Sequence, residues 1–138
     1  MTTDVTMFIR LALESDTELI EAHIAAATLE SSAYRGKLRS QTEFDEAITL
    51  VAGYGSSVMG SARATFTGTA GFIEHIFVTP ETREVGLGDA LLLSMLDEFR
   101  QRGVREVSAQ ALPGDRAMKN LFERHGLIAQ TIVVGKSL

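Results

Sequence analysis

The stretch from Gly71 to Leu112 limits the possible folds more than any other. Gly71 to Val78 (GFIEHIFV) is rich in β-branched and aromatic residues and stops at Thr79-Pro80. Gly86 to Arg102 then sets Leu87, Leu91 and Met95 beside Leu92, Leu96 and Phe99, a broad apolar stripe at helical spacing. Gly103 follows, where helices commonly end on a left-handed residue. Val104 to Leu112 is a second strand-forming run, closed by Pro113-Gly114. Strand, helix and strand of these lengths form one right-handed parallel crossover.

The flanking sequence adds antiparallel pieces. Phe8 to Leu13 reads as a first strand. Ser15 and Glu18 stand at capping-box spacing, ahead of a helix that carries Leu19, Ile20, Ile24, Ala27 and Leu29 to about residue 30. Tyr34 to Phe44 is polar and reads as loop plus a short second helix. Thr49 to Tyr54 and Val58 to Phe66 are joined by Gly55-Ser56-Ser57, a hairpin signal, and Thr67-Gly68-Thr69 turns into Gly71 to Val78. Beyond Pro113-Gly114, Asp115 caps a helix that runs through His125 and stops at Gly126. Leu127 to Leu138, with Ile132-Val133-Val134, is expected to be a last strand. The order β-α-α-β-β-β-α-β-α-β predicts a mixed α/β domain.

At 138 residues with 45% hydrophobic and 22% charged residues, one ordinary globular domain over 1–138 is expected. The absence of cysteine excludes disulfides, cysteine zinc sites and thiol nucleophiles. A net charge of -5 argues against general nucleic-acid affinity. No apolar run approaches the ~20 residues of a membrane span. The opening MTTDVTMFIR lacks a basic-then-apolar leader, so a cytoplasmic protein is expected. His23 and His125 have no carboxylate or histidine at ligand spacing, and no metal is expected.

Chemistry concentrates in Arg83-Glu84-Val85-Gly86-Leu87-Gly88-Asp89. A helix start leaves backbone N–H groups unpaired and carries a partial positive charge. Glycines at 86 and 88 let an anion approach that backbone, and Arg83 can add a charge-assisted contact. Neither standard nucleotide loop fits, because Gly88 is followed by Asp89-Ala90 and position 91 is Leu. Two readings of the residues stand: an anion cradle, or a strand-to-helix turn shaped by glycines with Arg83 solvated. Asp89 suits both.

Arg-x-x-Gly-x-Gly at Arg83 to Gly88, after a strand ending Ile76-Phe77-Val78-Thr79-Pro80, resembles the acetyl-coenzyme A motif of the GNAT superfamily of N-acetyltransferases. Phe8-Ile9-Arg10 through Asp16, Val58 to Arg63, and Leu121-Phe122-Glu123-Arg124-His125-Gly126-Leu127 are similar to further segments of that family, so the likeness runs over most of the chain. The resemblance implies a central sheet of mixed antiparallel and parallel strands, flanked by helices and splayed between its fourth and fifth strands. Acetyl-CoA is implied as co-substrate. The backbone N–H groups of Val85 to Asp89, spanning Gly86, Leu87 and Gly88, would hold the pyrophosphate with Arg83 and the neighbouring Glu84. The backbone of Ile76, Phe77 and Val78 would pair with the pantetheine arm, and a Val78 N–H or a neighbour would serve the oxyanion.

Acyl transfer to an amine needs a neutral nucleophile, a stabilised oxyanion and a leaving thiol. Glu74 stands where many family members carry an acidic residue and is the candidate base. Its alternatives are a solvent-facing carboxylate or one paired with Arg63. Alternation points His75 away from Glu74 unless a bulge intervenes, and a half-buried, hydrogen-bonded histidine is its expected state. Phe122 stands where the family usually carries a tyrosine beside the departing sulfur, and it has no proton to give. Asp115 and Leu127 replace a family Asn and Phe. Tyr34, Tyr54 or water are the remaining donors.

Arg35, Lys37 and Arg39 with Tyr34 lie where similar proteins cover the acceptor, which admits an acidic acceptor or a solvated charge run. Only 12 residues follow Gly126, too few for two full strands, so a sheet edge is expected to stay open and to pair a homodimer through Ile128 to Val134. The leading expectation is an N-acetyltransferase for a primary amine, a small molecule or peptide, acting by direct attack in a ternary complex. The alternatives are a non-catalytic acyl-CoA-binding sensor or interaction module, and a structural protein with no cofactor affinity.

Overall fold

A computed structural model describes residues 6–39, 44–83 and 86–138. Five strands form one sheet in the order β1-β2-β3-β4-β5: β1 Met7–Leu11, β2 Glu46–Tyr54, β3 Ser57–Thr67, β4 Ala70–Val78 and β5 Glu106–Ala109. The first three pairings are antiparallel and β4 with β5 is parallel. Among the described residues three α-helices accompany them: α1 Thr17–Ser31, α2 Leu87–Gln101 and α3 Arg116–Arg124. The crossover from β4 through α2 to β5 is the one expected from the sequence.

Strand alternation sorts the side chains onto two faces. One face contributes Leu50, Ala52, Ala62, Ala64, Ile73, Ile76 and Val78 to a core with Leu87, Leu91, Leu92, Met95 and Phe99 of α2 and Leu121 and Phe122 of α3. The opposite face turns Ser61 and Phe77 toward His23 of α1. Helix α2 ends as a Schellman motif: Gly103 adopts φ +81°, its N–H donates to Arg100, and the Val104 N–H donates to Phe99. Helix α3 closes the same way through Gly126 and Leu127, and the Asp115 carboxylate caps its start by accepting from the Met118 N–H at 3.2 Å.

Three expectations are corrected. Ser15 and Glu18 form no capping box. Asp16 takes over instead, accepting from the Leu13 N–H at 2.7 Å and from Arg10 at 2.7 and 3.2 Å. Helix α1 does not bury the predicted stripe, since Leu19, Ile24 and Leu29 are exposed and its one buried residue is His23; His23 meets Ser61 and Phe77 on the sheet face opposite α2. In the described part of 34–44, residues 34–36 form a bend and 37–39 and 44 have no regular structure; the remainder of the expected second helix, 40–43, lies outside the described residues. The last strand is absent as well: 127–138 forms no ladder, and Ile132 and Val134 are each 88% exposed. A β-prone run becomes a strand only when an edge receives its backbone groups, and β5 is just four residues long.

Candidate active site

The parallel pair parts early. Strand β5 lies beside β4 only from Ala70 to Ile73, with Ile73 opposite Ala109, and ends there. The rest of β4, Glu74 to Val78, continues with β3 on one side and no β5 on the other. This opening lies at the carboxyl ends of the parallel strands, where ligands of open α/β sheets lodge.

Helix α2 starts beside it. Gly86 is the N-cap with φ +88°, a conformation that L side chains rarely adopt, and a Cβ there would meet nothing within 4 Å. The first helical bond runs from the Ala90 N–H to the Gly86 carbonyl at 3.0 Å, so the helix itself supplies no acceptor for the N–H groups of Leu87, Gly88 and Asp89. The Leu87 side chain is buried in the core, which anchors the first turn. Glu84 and Val85, both expected in the cradle, lie outside the described residues.

Two charged residues of the cradle are already engaged. Arg83 donates from Nε to the Val78 carbonyl at 2.8 Å and from Nη2 to both Glu30 oxygens at 2.7 and 2.9 Å. Its guanidinium also lies 5.4 Å from the centre of the Phe77 ring. Asp89 is turned toward α3. Its carboxylate accepts from Arg124 at 3.0 and 3.1 Å and pairs with His125 Nε2 at 2.7 Å. The Arg124 guanidinium, and after it His125, hold the Asp89 carboxyl below the usual carboxylate range. Side-chain repulsion of an anion at the helix start is thereby offset.

On β4 the register slips. Arg63 stands opposite His75 and Ala64 opposite Ile73, so Glu74 is the extra residue of a bulge. The simple alternation expected for Glu74 and His75 therefore fails, and both reach the same face of β3. Arg63 Nε donates to Glu74 Oε2 at 2.9 Å, and His75 Nε2 lies 3.3 Å from Ser61 Oγ; Ser61 and Arg63 are two residues apart on one strand. Arg63 also reaches Thr49 Oγ1 at 3.4 Å.

Ser61 connects two imidazoles. Its Oγ lies 2.9 Å from His23 Nδ1, while the His23 ring packs against Phe77 with centroids 5.0 Å apart and planes tilted by 41°. Burial pushes His75 down to about 4, with nearby His23 and Arg63 adding to it, and burial also lowers His23. Both rings are neutral at pH 7. Ile76 and Val78 point into the α2 core, so along this stretch they offer the opening their backbone. Phe122 is buried in the same core and offers contact surface and no proton.

The segment after α1 folds across the far lip of the opening. A Cβ at Gly36 would touch Leu112 and Pro113 at 3.8 Å, one at Gly114 would touch Tyr34 at 3.6 Å, and the Arg39 N–H donates to Gln110 Oε1 at 2.7 Å. Tyr34 thus stands beside the loop that follows β5. Sequence reasoning missed Glu30, Ser61 and the Arg124–His125 clamp. Ser61 had one usable signal, a hydroxyl alternating with Ala62 and Gly60 in a strand; Glu30 had none, because its partner is 53 residues away. Among the described residues no cluster of metal-ligating side chains forms, and no helix is long and apolar enough to cross a membrane.

A mixed sheet that opens between its parallel strands beside a Gly-x-Gly helix start is an α/β fold with a ligand cleft at its strand ends. The chain belongs to the Acetyltransferase (GNAT) family, whose model matches residues 16–127. No curated protein matches it in sequence. Among solved structures it is similar to the aminoglycoside N-acetyltransferase AAC(6')-Iy in complex with CoA, at 16% identity over 100% of this chain and 98% of that one, TM-score 0.74. It is also similar to a transcriptional regulator from Bacillus halodurans C-125 (18% identity, 96% and 100% covered, TM-score 0.75). A third is an aminoglycoside acetyltransferase from an uncultured soil metagenomic sample in complex with sisomicin (14% identity, 96% and 95% covered, TM-score 0.72). At these identities the likeness is one of fold.

Proposed function

We propose that residues 1–138 act as one acetyl-CoA-dependent N-acetyltransferase domain that moves an acetyl group to a primary amine by direct attack in a ternary complex. The observation that carries this reading is the free run of β4 from Glu74 to Val78 directly upstream of the glycine-started helix. The residues present fit the co-substrate: Gly86 opens the helix start, and the N–H groups of Leu87, Gly88 and Asp89 are available to a diphosphate. Bound acetyl-CoA would supply an activated thioester carbonyl. Arg83 would exchange Glu30 for phosphate oxygen.

In this reading Glu74 takes the amine proton, directly or through water, at Oε1, since Arg63 occupies Oε2. A backbone N–H near Val78 stabilises the oxyanion. The new N–C bond forms as the C–S bond breaks, and the thiolate leaves with water as proton source, because Phe122 has no donor. Neighbours that bind aminoglycosides place aminosugars first in an acceptor panel, ahead of polyamines, amino acids, lysines and peptide N-termini. Arg35, Lys37 and Arg39 would favour acceptors that also carry acid groups. We further propose a homodimer built on the exposed Ile128 to Val134 segment; a monomer in sedimentation at micromolar concentration overturns it.

The buried Phe122 and the ion-paired Glu74 favour one competing reading, a non-catalytic acyl-CoA-binding module. Free thiol released from acetyl-CoA across the amine panel supports the enzyme. Calorimetric binding of CoA with no turnover on any amine supports the module, and no binding at all removes both.

A further inference from the structure

The buried chain His23–Ser61–His75 has no part in the scheme above. Its geometry bears on which nitrogen of His75 carries the proton. His23 Nδ1 is bonded to Ser61 Oγ, while His23 Nε2 is fully buried and has no partner. A neutral His23 can place its one proton on either nitrogen. A buried N–H without an acceptor is rarer than a buried lone pair without a donor, which puts the proton on Nδ1. His23 then donates to Ser61 Oγ. The Ser61 hydroxyl has one proton and turns it to His75 Nε2 at 3.3 Å, which leaves the His75 proton on Nδ1.

That nitrogen is available. His75 Nδ1 makes no hydrogen bond to a described residue, and it is not among the fully buried unpartnered atoms, His23 Nε2 and Thr65 Oγ1. Burial keeps the ring neutral, so the tautomer is well defined at working pH. His75 lies in the stretch of β4 that β5 has left, on the same face as Glu74, the face that α1 covers. It directly follows Glu74, the residue proposed to take the amine proton.

We propose that His75 is a specificity-determining residue whose Nδ1–H, set by the Ser61–His23 pair, donates a hydrogen bond to an oxygen of the acceptor next to the reactive amine. Amino alcohols and aminosugars are thereby chosen over plain alkylamines. Ser61 and His23 are positioning residues. The inference rests on the N-acetyltransferase reading.

The test has two arms. Long-range 1H–15N correlation of the 15N-labelled protein at pH 7, with the His75 signals assigned through His75→Gln, reads the tautomer directly. The expected result is a protonated Nδ1 and a bare Nε2, giving way to a mixture in Ser61→Ala. A protonated Nε2 in the wild type overturns the proposal. The second arm is the kcat/KM ratio of ethanolamine to propylamine, compared between wild type and variants so that the different basicities of the amines cancel. His75→Gln is expected to lower the ratio about three- to tenfold, and His75→Asn, whose amide N–H lies near the position of Nδ1, to retain more of it. Propylamine acetylation with an unchanged ratio overturns the role of His75 and leaves the transferase reading standing. No acetylation of any amine overturns both.

Discussion

Arg83 and Glu30 form a two-oxygen ion pair that ties the end of α1 to the loop before α2, with Nη2 at 2.7 and 2.9 Å from the carboxylate. The pair joins the helix that packs on Ser61 and Phe77 to the strand-to-helix loop expected to hold the cofactor. Both side chains are more than 40% exposed, so the contact adds little to stability. It does occupy the guanidinium proposed to meet an incoming phosphate.

Glu30→Gln is therefore expected to tighten CoA binding about two- to fivefold, the range of an exposed ion pair removed from the competing state. Titration calorimetry against wild type measures this. Equal or weaker binding by the variant would mean that Glu30 does not compete for Arg83.

Substitutions at the two glycines separate strain from access. Gly86→Ala forces a side chain onto φ +88°, which costs about 1 kcal/mol or more and lowers both the melting temperature and CoA affinity. Gly88→Ala meets Leu121 and Val78 at 3.7–4.0 Å, ordinary contact distances. Its helix should hold or gain stability, because alanine is the better helix former, while CoA affinity falls at least about tenfold as the methyl crowds the diphosphate. Thermal melts paired with calorimetry check both. A Gly88→Ala protein that binds normally would move the diphosphate elsewhere.

Replacing Glu74 by Gln keeps the shape and a weaker contact with Arg63 but removes the proton acceptor. The expected result is a kcat/KM drop of about a hundredfold, together with loss of the acidic limb of the pH–rate profile. An unchanged profile would shift the base role away from Glu74.

Folding stability should decline in mild acid. His75 is held near 4 in the folded state, against about 6.5 unfolded. As pH falls below 6.5 the unfolded chain binds a proton that the folded chain refuses, and stability falls until pH 4. At pH 5 the loss from His75 alone is about 2 kcal/mol; His23 is lowered in the same direction and adds to it. Asp16 and Asp89 are shifted below the usual carboxylate range, so their contributions are lost at more acid pH. Urea unfolding at pH 7 and pH 5 gives the difference, which His75→Gln should reduce.

Most of the frame was legible because it rests on local pattern. The apolar spacing of α2, the stops at Gly103 and Gly126 and the cap at Asp115 are set by residues a few positions apart, and each formed where expected. The pairing of Arg63 with Glu74 was open to reasoning, since neighbouring strands bring alternate residues together. The C-terminal segment was misread because strand propensity says what a run suits, while a ladder requires a partner edge.

By itself the sequence determined the crossover, the glycine-started helix and the polar interruption of β4, because periodicity and turn chemistry act within one element. The tertiary structure alone decided that Glu74 and His75 share a face, that Glu30 holds Arg83, and that one serine hydroxyl joins two imidazoles. Each of these depends on a register shift or on the docking of α1, and such contacts are set by how whole elements pack, with partners tens of residues apart.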